Sequence, residues 1–111
     1  MPLTRDFKET IQARARRDEA FREALLTEAM DAMLSGDVET GKTVLRDYIN
    51  ATVGFDALAA VTKKSPKSLM RMLGPNGNPQ ARNLFKIVAY LQTKAGLQLK
   101  VRAAYTSIAG G

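Results

Sequence analysis

A chain of 111 residues, 45% of them apolar, is long enough for one domain with a modest core, or for a domain with an extension. It contains no cysteine and no histidine, which removes disulfides, the usual zinc sites and every Ser-His or Cys-His catalytic pair. The net charge of +6 is unevenly placed: residues 1–51 carry 8 Lys/Arg and 10 Asp/Glu, net −2, whereas residues 52–111 carry 9 Lys/Arg and one acid, Asp56, net +8.

From Arg5 to about Arg16 the residues are good helix formers behind Thr4, a suitable N-cap, with sparse apolar positions at Phe7, Ile11 and Ala15. Asp18 caps a second helix whose Phe21, Leu25, Leu26, Ala29, Met30, Met33 and Leu34 make a wide apolar face, ended by Ser35-Gly36. Asp37 caps a third, in which Val38, Gly41, Leu45, Tyr48 and Ile49 recur at helical spacing up to Thr52-Val53-Gly54. Two short helices follow, Phe55 to Thr62 and Pro66 to Leu73. The break between them is sharp, because Ser65 suits an N-cap and Pro66 the first helical position.

The run GPNGNP, Gly74 to Pro79, reads as a turn. A longer helix, Gln80 to about Lys94, presents Ala81, Leu84, Phe85, Val88 and Leu91 inward and is closed by Gly96. Leu97, Leu99 and Val101 then alternate with Gln98, Lys100 and Arg102, the period of a short half-buried strand, before a frayed end from Ser107 to Gly111. The expected division is an N-terminal helical extension over 1–36, a helical domain over 37–103 and a flexible tail over 104–111. The class is all-α with one short C-terminal strand.

Basicity gathered in one half marks a surface for a polyanion, nucleic acid before an anionic membrane, with a merely solvated basic face as the plain alternative. The stretch TKKSPKSLMRML, Thr62 to Leu73, holds four cations and no acid. Two short helices about a tight turn, the second basic on its outer side, suit a DNA-reading helix-turn-helix. Ala59, Ser65 six residues on and Leu69 ten on have the spacing of that motif, and Leu58, Leu69 and Met72 or Leu73 wedge the pair. The turn departs from the common glycine-then-apolar pattern, since Lys63 and Lys64 stand there. A left-handed Lys63 costs roughly 1 kcal/mol, and the wedge falls to Val61 and Leu69.

On the outer side, Arg71 suits guanine O6 and N7, Ser65 and Ser68 phosphates or base edges, and Met70 a thymine methyl. Lys63, Lys64 and Lys67 suit phosphates, as does Arg82 at the start of the next helix. Singly, each has a bland reading as solvated surface, and Met70 as core.

The segment LAAVTKKSPKSLMRMLGPNGNPQARNLFKIVAYLQTKAGLQLKV resembles the small helix-turn-helix regulators called addiction-module antidotes, antitoxin-type proteins with a phage-repressor-like domain. The likeness rests on the Ala59 helix, on Ser65-Pro66-Lys67-Ser68-Leu69, on the loop Gly74 to Pro79 and on the ending Leu97, Leu99, Val101. It reaches back to about Thr27. It implies a five-helix repressor-like DNA-binding domain, usually dimeric, that represses its own operon on double-stranded operator DNA and in some members neutralises a cognate toxin.

Dimerisation also follows from geometry, since one short helix reads too few base pairs for genomic specificity. Either the strand at 97–102 or the N-terminal helices would make the contact. Those acidic helices equally suit a basic toxin or simply complete the core.

Other readings remain. An interaction module without specific DNA binding would use the apolar face from Phe21 to Leu34 or the terminal strand as an edge. RNA binding has few aromatics to stack on. An enzyme would be left with carboxylates such as Glu9, Asp18, Glu19 and Glu23, which helix starts stabilise anyway. No cofactor and no metal are expected. With no apolar run near about 20 residues and no secretory signal in MPLTRDFKET, neither membrane insertion nor export is expected, which points to the cytoplasm.

Overall fold

The computed structural model describes residues 5–106 and, within them, six helices and no strand. They are α1 (Arg5–Arg17), α2 (Glu19–Leu34), α3 (Val38–Ala51), α4 (Gly54–Thr62), α5 (Pro66–Met72) and α6 (Ala81–Ala95). Thr4, the expected first cap, and the tail from Ser107 lie outside the described residues.

The starts and stops follow local chemistry. Asp18 accepts from the Phe21 N–H at 3.1 Å and Asp37 from the Thr40 N–H at 3.2 Å, each satisfying an orphan donor of the first turn. Hydrogen bonding by Thr40, side chain first and backbone second, holds the Asp37 carboxyl below its ordinary pKa. Gly96 closes α6 with φ 71°, where a side chain would be strained.

One core serves all six helices: Ala15, Leu25, Leu26, Ala29, Leu45, Tyr48, Ile49, Phe55, Leu58, Leu69, Leu73, Ile87 and Leu91 are buried together. The most extensive packing is of α2 on α3, and it depends on Gly41. A Cβ at Gly41 would run into the Met33 side chain and come within 3.1 Å of the Ala29 carbonyl. Burial raises the pKa of the Tyr48 phenol, opposed by the nearby Arg22 charge. Arg22 also donates to the Ala15 carbonyl at 2.8 Å, and the Arg14 guanidinium lies 4.4 Å from the Phe21 ring centre, so α1 is tied to α2 by polar as well as apolar contacts.

Three expectations are corrected. Segment 37–103 contributes four helices, α3 to α6, so the five implied by the family resemblance are not found there. The alternation after Gly96 holds over four residues, Leu97 and Leu99 being half-buried and Gln98 and Lys100 exposed, and stops at Val101, which is 81% exposed. No ladder forms, however, because no second strand lies beside it among the described residues. Ala81 and Phe85, read as inward-facing, are exposed, and Phe85, 57% exposed, rims a cleft between α2 and α6 together with the exposed Leu34 and Val38. Periodicity gives an apolar stripe but not how far round the helix its neighbours reach.

Candidate nucleic-acid interface

Helices α4 and α5 are joined by Lys63, Lys64 and Ser65. Lys63 has φ 59° and ψ 34°, the left-handed conformation expected of it, and no other non-glycine residue among the described ones has a positive φ. Its N–H bonds the Ala59 carbonyl at 2.9 Å, and Thr62 Oγ1 donates to the Leu58 carbonyl at 2.9 Å, so the end of α4 is capped without glycine. Ser65, with φ −73° and ψ 152°, accepts from the Ser68 N–H at 3.0 Å, and Pro66 occupies the first turn. Both ends of the turn are thus set by residues within four positions.

The wedge consists of Leu58, Leu69 and Leu73, all fully buried, with Ala59 and Met72 half-buried beside them. Val61, assigned to it from the sequence, is instead 43% exposed. Of the two alternatives at the end of α5, Leu73 is the more deeply buried.

Outward from the wedge stand Lys63, Ser65, Lys67, Met70 and Arg71, exposed, with Lys64 and Ser68 half-exposed. Arg82 is exposed in the first turn of α6, a helix that packs against α4. Among the described residues, Lys63, Lys64, Lys67, Arg71 and Arg82 make no ion pair and no side-chain hydrogen bond. Met70 borders a small cleft with Gln12, Arg46, Asp47, Asn50 and Phe55, so α5 meets α3 and α1 there beside one cation and one acid.

The far end of α5 is held differently. Lys42 of α3 is 1% exposed and its Nζ donates to the carbonyls of Gly74 and Gly77 at 2.9 and 2.8 Å, with Glu39 Oε2 at 3.0 Å. All three donors of the ammonium are used, which is what allows a lysine to be buried. Gly77 lies so close to the end of α5 that a Cβ there would overlap the carbonyls of Arg71 and Met72. The loop Gly74 to Pro79 is therefore clamped between the last turn of α5 and a lysine 32 to 35 residues earlier in the chain.

Sequence reasoning missed Lys42 and Arg46. Lys42 stands in an exposed-looking run, Glu39 to Thr43, and nothing local marks it as buried. Arg46 follows it by one helical turn on α3, and its guanidinium lies 3.8 Å from where a Gly74 Cβ would be. The only available signal was that both positions follow the apolar period of α3.

No protein-family model, curated protein or solved structure matches this chain.

Proposed function

We propose that the protein is a sequence-specific regulator of transcription that binds double-stranded operator DNA through α5 as a homodimer, acting in the cytoplasm as an autorepressor of the addiction-module antidote kind. The reading is supported above all by the four cations of the α4–α5 turn and α5, Lys63, Lys64, Lys67 and Arg71, none of them paired with an acid among the described residues, on the outer side of a helix pair whose inner side is fixed by Leu58, Leu69 and Leu73. Unpaired cations gathered on one face suit a ligand that brings the negative charge.

In this reading Arg71 pairs with guanine O6 and N7 and Met70 meets a thymine methyl, while Ser65 and Ser68 bond base edges or phosphates. Lys63, Lys64, Lys67 and Arg82 hold the phosphate backbone, giving affinity without sequence information. Half-sites would lie about 34 Å apart along the duplex. A cognate toxin would find charge complementarity on α2, which carries Glu19, Glu23, Glu28 and Asp31 against one cation, Arg22. The second reading, a protein-interaction module with only non-specific nucleic-acid affinity, is favoured by the exposed Leu34, Val38 and Phe85 around one cleft.

Fluorescence anisotropy at physiological salt, on the duplex upstream of the gene and on a scrambled duplex of equal length, separates the two. The regulator binds the native duplex preferentially; equal weak binding to both favours the interaction module. Arg71→Ala weakens the specific complex by about 1–3 kcal/mol and leaves thermal stability unchanged. Unchanged affinity would remove Arg71 from the reading role.

A further inference from the structure

The segment after α6 is bonded along one edge only. The Leu97 N–H donates to the Gln92 carbonyl at 3.1 Å and the Leu99 N–H to Gln92 Oε1 at 2.6 Å, so the odd-numbered amides face α6. Burial has the same period of two, with Leu97 and Leu99 half-buried and Gln98 and Lys100 exposed. In a chain of that period successive N–H groups point to opposite edges, which leaves those of Gln98, Lys100 and Arg102 along the outer edge. Among the described residues, the backbone of Gln98, Lys100, Val101 and Arg102 makes no hydrogen bond. Beside it, Leu99 and Val101 complete a cleft of about 550 Å³ with Leu34 of α2 and Phe85 of α6, and Val101 is 81% exposed. A row of unpaired donors and acceptors next to open apolar surface is a template for another strand.

We propose that this edge pairs antiparallel with the same edge of a second copy of the chain, Leu99 opposite Leu99, and so forms the two-fold interface of the protein, resting on the dimeric reading above. The occupant and the register follow from bonding and charge. Because the Leu99 N–H is already used, Leu99 belongs at a non-hydrogen-bonded position, which makes Gln98 and Lys100 of the second copy a hydrogen-bonded pair, and Lys100 and Gln98 of the second copy another. The same register sets Leu97 against Val101 of the second copy and covers its exposed side chain. A shift that places Lys100 opposite Lys100, or Lys100 opposite Arg102, brings like charges together on one face. A shift that centres on Gln98 leaves Val101 bare. The two cations, which would otherwise blunt the edge, thus select one self-pairing.

The test is sedimentation equilibrium of the protein without DNA, together with single-cysteine cross-linking, for which a chain lacking cysteine needs no prior substitution. The wild type is expected to be a dimer, and Lys100→Pro, which removes an outward N–H and no intrachain bond, a monomer with unchanged helix content and melting temperature. Leu99→Cys should form an intermolecular disulfide under mild oxidation, and Lys100→Cys should do so about tenfold more slowly, because only the former sits opposite itself at bonding distance. A dimeric Lys100→Pro, or faster cross-linking through Lys100→Cys, would overturn this pairing while leaving a dimeric regulator in place. A monomeric wild type would overturn both the pairing and the dimeric reading, leaving the edge to a strand of another protein. Anisotropy of the wild type on its upstream duplex reports the DNA reading separately.

Discussion

The two ends of α5 are built on opposite principles. Its start is set by its own neighbours: Lys63 turns left-handed, Ser65 caps the Ser68 N–H at 3.0 Å, and Pro66 fixes the first turn. Its finish is set from far along the chain, by a buried Lys42 that bonds two carbonyls of the following loop and by a glycine that lets the loop lie on the helix end. A seven-residue helix is too short to hold itself together in water. The start supplies a direction, and the finish supplies a fixed place against the rest of the core. Local chemistry therefore decides where α5 begins, and tertiary structure decides where it lies.

Substitutions at the two ends should differ accordingly. Lys42→Met keeps the length of the side chain but leaves the Gly74 and Gly77 carbonyls without their donor. It is expected to destabilise the fold by about 3 kcal/mol in urea denaturation. A loss under about 1 kcal/mol would mean that water replaces the ammonium and that the clamp matters little. Gly77→Ala forces a methyl group against the carbonyls of Arg71 and Met72, with an expected loss of about 2 kcal/mol and a lowered affinity for DNA. An unchanged Tm would show that the loop moves aside freely.

At the start of α5 the effects are smaller. Ser65→Ala removes one cap and should cost about 1 kcal/mol in the same denaturation experiment. Lys63→Gly relieves the left-handed backbone at the expense of a looser unfolded chain, and stability is expected to rise by about 0.5 kcal/mol while affinity for any duplex falls for want of one cation. If Lys63→Gly lowered stability instead, the side chain of Lys63 would be contributing packing beyond its conformation.

The same contrast explains what could be read from the sequence. Ser65-Pro66, Asp18, Asp37 and Gly96 act on groups within a few residues of themselves, so the helix boundaries and the turn were legible. Leu58 and Leu69 follow the helical period and are buried as expected. Val61 was assigned to the wedge too, yet is 43% exposed, whereas Leu73, just past the end of α5, is buried. The segment 97–102 has the alternation of a strand, but a ladder needs a second edge, which no period encodes. Lys42 was the least legible of all. A lysine is buried only where three acceptors converge, and here two of them are carbonyls more than thirty residues away. Of the proposed interface, the cations were visible as types, whereas their freedom from acidic partners was a property of the fold.

The burial of Lys42 gives the protein a chemical clock. Lys63, Lys67, Lys86, Lys94 and Lys100 stand exposed to any amine-acylating reagent, while the Lys42 amine is reached only when the loop from Gly74 to Gly77 lifts away. Its modification over time, read by mass spectrometry against the fast labelling of the others, would measure how often that loop opens in the native protein. If DNA steadies the loop when it engages α5, the label should enter more slowly on the complex than on the free chain.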